Sequence, residues 1–82
     1  MGNVAVSLRI LPRSVETDIE KIKNEILKRI EVKDVKVEPI AFGLKAIKIL
    51  LIVPDKGVSK IEEEIKNIDG VSEVEVESVT LI

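Results

Sequence analysis

Few residues of this chain have the types and spacing that do chemistry. Glu73, Glu75 and Glu77 alternate along "VSEVEVESV", so on a strand their carboxylates line one face, spaced for a weak cation site. Glu62, Glu63 and Glu64 are consecutive, and consecutive residues on a helix point in different directions. Capping and solvation account for that run, and a solvated edge is the plainer reading of the first triplet, so no metal site is assigned. Histidine and cysteine are absent. Their absence removes the commonest general base, the usual zinc ligands and the thiol nucleophile. No acid, base and nucleophile constellation remains, so neither an enzyme nor a cofactor is expected.

The remaining conspicuous residue is an aromatic. Phe42 is the only phenylalanine, in a chain without tryptophan or tyrosine, and it stands directly before Gly43 in "EPIAFGLKAIKILLIVPD". A core phenylalanine belongs in mid-element, whereas one beside a turn projects outward. Aromatics are enriched both in cores and at interface anchor points, so the residue alone leaves both readings open. Lys45 and Lys48, on the strand that follows, either pair with acidic groups of a partner or are solvated.

Composition narrows the classes further. The 82 residues are 45% hydrophobic and 34% charged, with a formal net charge of −2. That length fits one small domain spanning residues 1–82, with a core that must be aliphatic. Nucleic-acid binders show a basic patch or stripe, which is missing here. No apolar run reaches the roughly 18 residues of a membrane span. Nothing at the start reads as a signal peptide, so a cytoplasmic location is expected.

The elements that must position these residues follow from periodicity. Val4, Val6, Leu8 and Ile10 alternate with Ala5, Ser7, Arg9 and Leu11, which predicts a strand ended by Pro12. Ile19, Ile22, Ile26 and Ile30 recur at helical spacing, with Thr17 and Glu20 as a capping box. Val35 and Val37 begin a second strand, and Pro39 places it at an edge because proline cannot donate to a ladder. Leu44 to Val53 is almost continuously apolar and predicts a central strand, with Gly43 in the tight reversal before it. Ser59 and Glu62 offer a second capping box, Ile61, Ile65 and Ile68 a second helical stripe, and Gly70 its stop. Val74 and Val76 start a last strand whose alternation Val79 breaks, so a bulge is expected near Ser78.

The order βαββαβ has an internal echo, since "VKDVKVEPI" from Val32 and "VSEVEVESV" from Val71 carry valines and a glutamate in register. Two right-handed βαβ units joined this way give a ferredoxin-like α+β sandwich, four antiparallel strands with two helices on one face. Arg9, Ser7, Leu11, Lys48, Leu50 and Ile52 then share the face the helices leave open. Such a face admits a small-ligand-sensing or oligomerising module as an alternative function. Base stacking of the RNA-recognition kind is disfavoured, because the two central strands contain no aromatic.

Pro39-Ile40-Ala41-Phe42-Gly43-Leu44-Lys45 resembles the signature of the guanine-nucleotide exchange domain of translation elongation factor 1 beta, in particular its archaeal type. The likeness extends through "VAVSLRILPRS" and "IDGVSEVEVESV" in the family's order, so it covers essentially the whole chain. It implies the ferredoxin-like fold and the exchange of GDP for GTP on elongation factor 1 alpha, so that this GTPase can again bind aminoacyl-tRNA. It further implies that Phe42 contacts the GTPase, with Gly43 shaping the hairpin that presents it, and Ala41, Lys45, Leu81 and Ile82 are the other residues expected to bind that partner. Eukaryotic members of the family place a lysine next to the C-terminal residue, near the GTPase's magnesium site. The aligned position here is Leu81, followed by Ile82, so "SVTLI" supplies no cation there. A protein that is monomeric when free, with that GTPase as its partner, is expected.

Overall fold

A computed structural model describes residues 2–82. Its elements are β1 (Asn3–Pro12), α1 (Ile19–Arg29), β2 (Asp34–Pro39), β3 (Lys45–Pro54), α2 (Val58–Lys66) and β4 (Val71–Leu81). The strands form one sheet in the order β2-β3-β1-β4, every neighbouring pair antiparallel. This is the ferredoxin-like arrangement, with β1 and β3 inside and the echoing segments β2 and β4 on opposite edges. Pro39 ends β2, where its missing N–H costs no interior ladder bond.

The core is a slab of branched aliphatics. Val4, Val6, Leu8 and Ile10 are all buried, strictly alternating with half-exposed neighbours along β1. Ile47, Ile49 and Leu51 of β3 continue the layer, and Ile22, Ile26 and Ile30 of the first helical stripe meet Ile65 and Ile68 of the second above it. β-branched side chains with one preferred rotamer suit such a layer because they lose little entropy on packing.

Local signals were displaced in three places. The N-cap of α1 is Asp18, not Thr17: the Asp18 carboxylate accepts from the Lys21 amide at 3.2 Å. Thr17 is diverted because its hydroxyl accepts from the Ser14 amide at 3.2 Å, closing the preceding turn. At α2 the cap position falls on Gly57 without a side-chain bond, because the turn Asp55–Gly57 runs directly into helical geometry and leaves Ser59 already inside the helix. That helix stops at Lys66, and Gly70, at φ +96°, serves the later turn into β4.

The bulge expected near Ser78 is present one residue earlier. Ser7 pairs with Ser78 while Leu8 pairs with Val76, leaving Glu77 as the extra residue of β4. A second shift, between Leu11 opposite Glu73 and Pro12 opposite Val71, leaves Ser72 unpaired in the same way.

Candidate functional site

The hairpin between β2 and β3 explains why an aromatic precedes a glycine. Pro39 and Lys45 are the last ladder pair. Beyond them the Ile40 amide donates to the Leu44 carbonyl at 2.8 Å, and the Leu44 amide donates to the Ala41 carbonyl at 3.2 Å. The second bond closes a four-residue turn, Ala41 to Leu44. Its central residues are both left-handed, Phe42 at φ 60°, ψ 31° and Gly43 at φ 79°. Those values describe a type I′ turn, whose twist matches that of the flanking strands and whose centre normally reads Asn-Gly or Asp-Gly. Here phenylalanine occupies the asparagine position.

The substitution has a cost and a consequence. Left-handed geometry brings Cβ against the following carbonyl, which costs a non-glycine residue about 1–2 kcal/mol. Phe42 is the only non-glycine residue at positive φ among the described residues. Its side chain is 94% exposed, so the fold recovers almost nothing by packing the ring. Strain and apolar exposure coincide on one residue, and the core reading of Phe42 is excluded by that exposure.

A second loop lies beside the hairpin. Between β1 and α1, the Thr17 amide donates to the Ser14 carbonyl at 3.2 Å and the Glu16 amide donates to the Ser14 hydroxyl at 3.3 Å. The Arg13 amide ties the loop to the Gly70 carbonyl at 3.0 Å. Val15, at the tip of this turn, lies so close to Gly43 that a Cβ there would sit 3.7 Å from the Val15 Cγ1. Pro12, Val15, Asp18, Val37, Gly43 and Lys45 help to line the cavity of about 370 Å³ between the two loops.

Leu81 and Ile82 lie elsewhere. Val4 pairs with both Val53 and Leu81, and Asn3 with Pro54, so the C-terminus is at the end of the sheet away from the hairpin. The ten residues of β3 separate the two regions, about 30 Å at the usual rise of an extended chain. Ala41, Phe42, Gly43 and Lys45 therefore form one group, while Leu81 (75% exposed) and Ile82 (67% exposed) form another. At that far end Leu81 lines a cavity of about 490 Å³ together with Gly2, Asn3, Pro54, Asp55 and Lys56. Lys56, a cation that lines this cavity beside Leu81, was not among the residues singled out from the sequence. Only the antiparallel pairing of β3 with β1 reveals it beside the C-terminus.

The open sheet face carries charge rather than a metal site. Arg9 stands in register with Lys48 on one side and Glu75 on the other. Its Nη2 donates to both Glu75 oxygens, at 3.1 and 3.2 Å, and that hydrogen bond and charge raise the guanidinium pKa above its already high ordinary value. Lys48 lies 3.5 Å from Glu77 and 3.9 Å from Glu38. Two members of the acidic triplet are thus engaged by cations of the central strands, and no metal-binding cluster occurs among the described residues. Leu50 and Ile52 are exposed farther along the same face. No helix of the described residues is long and apolar enough to cross a membrane.

Comparison with known proteins bears on the whole chain. In the solved structures, the ACT domain from the GTP pyrophosphokinase of Chlorobium tepidum superposes with a TM-score of 0.73 over 93% of this chain and 88% of that one, at 13% identity. That likeness establishes the ferredoxin-like fold and nothing about activity. Curated proteins say more: "Elongation factor 1-beta" of Staphylothermus marinus is 40% identical, with 96% of each chain covered. The protein of the same name from Archaeoglobus fulgidus is 41% identical over the full length of both chains. The family model described as the EF-1 guanine nucleotide exchange domain matches residues 5–82. Fold, hairpin signature and full-length similarity agree, and the chain belongs to the EF-1 guanine nucleotide exchange domain family.

Proposed function

We propose that this protein binds elongation factor 1 alpha through the Phe42 hairpin and accelerates the release of its GDP. The observation that carries the reading is the state of Phe42, a lone aromatic held in solvent on a left-handed backbone at the tip of a hydrogen-bonded turn. A residue that costs the free fold energy twice has its return in a complex.

The mechanism needs no covalent step. An exchange factor acts by binding the nucleotide-free GTPase more tightly than the loaded one, and by reciprocity the nucleotide is then held less tightly. That demands a rigid scaffold with a few projecting contacts. Here the turn presets the backbone that carries the ring, so little backbone freedom is lost on docking. Gly43 lets the backbone turn beneath it, and Ala41 and Lys45 flank it. Leu81 and Ile82, at the opposite end of a body 41 Å long, meet a separate part of the GTPase, with Lys56 as the cation of that contact. The reaction takes place in the cytoplasm, between a monomeric factor and the GTPase, without nucleic acid or cofactor.

The direct test loads elongation factor 1 alpha with a fluorescent GDP and follows its release on adding this protein. Catalytic amounts should speed release. Release at the intrinsic rate, with a correctly folded sample, overturns the assignment.

A further inference from the structure

Between its hydrogen-bonded neighbours the loop 13–18 displays one apolar side chain. Val15 follows Ser14 in a turn closed by the Thr17 amide on the Ser14 carbonyl at 3.2 Å and cross-linked by the Ser14 and Thr17 hydroxyls at 3.4 Å. Those bonds are made by the residues around Val15 and need nothing from its side chain. Turn positions favour residues that bond to their own backbone or preset its dihedrals, and valine does neither. It is nevertheless 60% exposed, outside the core layer.

Its placement supplies a use. Val15 stands against Gly43, the sequence neighbour of Phe42. Gly43 is itself exposed and has no side chain, so the backbone beside the two apolar residues is open to close approach. The carboxylates that border the adjoining cavity are already engaged: Asp18 caps α1 and Glu20 lies 3.2 Å from the Lys23 ammonium. Lys45 lines the same cavity, and beside that cation what the surface at Gly43 offers a partner is apolar contact.

Resting on the reading of the hairpin above, we infer that Val15 is a second anchor for the same GTPase, and that Val15 and Phe42 grip an apolar side chain of the partner over Gly43. The β1–α1 loop is then half of the recognition surface, and the Ser14–Thr17 cross-link holds the Val15 backbone in place beside Gly43. Fixing two anchors on two short turns, each tied to the sheet, lowers the entropy lost on docking. Val15 acts in recognition and touches no reacting atom.

The test compares Val15→Glu, Val15→Ile and Phe42→Ala in GDP release from elongation factor 1 alpha, as a function of GTPase concentration. Val15→Glu should raise the concentration of GTPase–GDP needed for half-maximal rate by roughly tenfold, as loss of an interface anchor does. Val15→Ile should restore wild-type behaviour, and thermal unfolding of all three should match the parent, since no core contact is lost. If Phe42→Ala is impaired while Val15→Glu behaves as wild type, the second anchor is refuted and the hairpin reading stands. If both behave as wild type, the hairpin reading itself fails and takes this inference with it. A Val15→Glu protein that is impaired only because its melting temperature has collapsed also refutes the inference, because Val15 would then be structural.

Discussion

Replacing Phe42 by asparagine should strengthen the fold while disabling the protein. With the ring 94% exposed, truncating it removes only a small part of the roughly 2–3 kcal/mol that full burial of such a side chain is worth. Against that negligible loss stands the left-handed backbone at φ 60°, which costs phenylalanine about 1–2 kcal/mol and asparagine much less. Asparagine is also the usual first central residue of a type I′ turn. The net gain is about 1 kcal/mol, which for a chain this short raises the melting temperature on the order of 4–8 °C. Alanine keeps the left-handed strain and should leave stability within about 0.5 kcal/mol of the parent. Glycine relieves the strain but makes the unfolded chain more flexible, so its gain is about cancelled. Loss of an aromatic anchor worth at least 2 kcal/mol should slow GDP release by roughly 30-fold in all three variants. Parallel calorimetry and stopped-flow exchange assays decide the matter. A Phe42→Asn protein that melts several degrees lower, or that exchanges nucleotide at the parental rate, refutes the argument.

Gly70→Ala should cost about 1–3 kcal/mol in urea unfolding, because φ is +96° there and a Cβ would lie 3.0 Å from the Thr17 Cγ2 and 3.3 Å from the Ile22 Cδ1. Gly43→Ala meets Val15 only at an ordinary 3.7 Å, so its cost should be the smaller backbone share, about 1 kcal/mol in the same experiment. Lys56→Ala should lower the exchange rate by roughly fivefold at low salt and by less at high salt, without changing the melting temperature. Stability should be level between pH 6 and 8.5 to within about 3 °C, since the chain has no histidine or cysteine and only its α-amino group ordinarily titrates there. Arg9 does not alter this: its raised pKa contributes stability that is complete below the unfolded value and fades only above the folded one, far beyond that window. A melting profile with a step in this range would point to a titrating group that the residues described do not supply.

What the sequence made legible was the part specified by repetition. Period two along Val4 to Ile10, and helical spacing from Ile22 to Ile30, each state a buried face many times over, so one ambiguous residue does no harm. Pro39 placed β2 at an edge by a rule that allows few exceptions. The caps were misplaced because a cap is stated once. Thr17 has the right chemistry for the helix start, but Ser14 competes for the same hydroxyl, and Asp18 next door caps equally well. Choosing between them needs the three-dimensional path of the loop, which no local window contains.

The site shows the same division more sharply. Gly43 announced a turn, yet the signal for a type I′ turn is half missing, since Ala-Phe-Gly-Leu lacks the asparagine or aspartate that usually precedes the glycine. Phe42 breaks the local rule, and the turn adopts that geometry anyway because the β2–β3 ladder fixes both of its ends. Consistency across levels is what makes a fold readable, so a site that works by violating it is hard to read by the same means. The position of Leu81 follows from this too. The family resemblance brings Phe42 and Leu81 to attention together without placing either in space; the antiparallel register of β1 with β3 and β4 sends the two to opposite ends. On the proposed contact at both ends, a stiff sheet would transmit a displacement at one contact to the other. Loosening the core between them, by Ile49→Ala for example, should then weaken exchange more than it weakens binding at the hairpin alone.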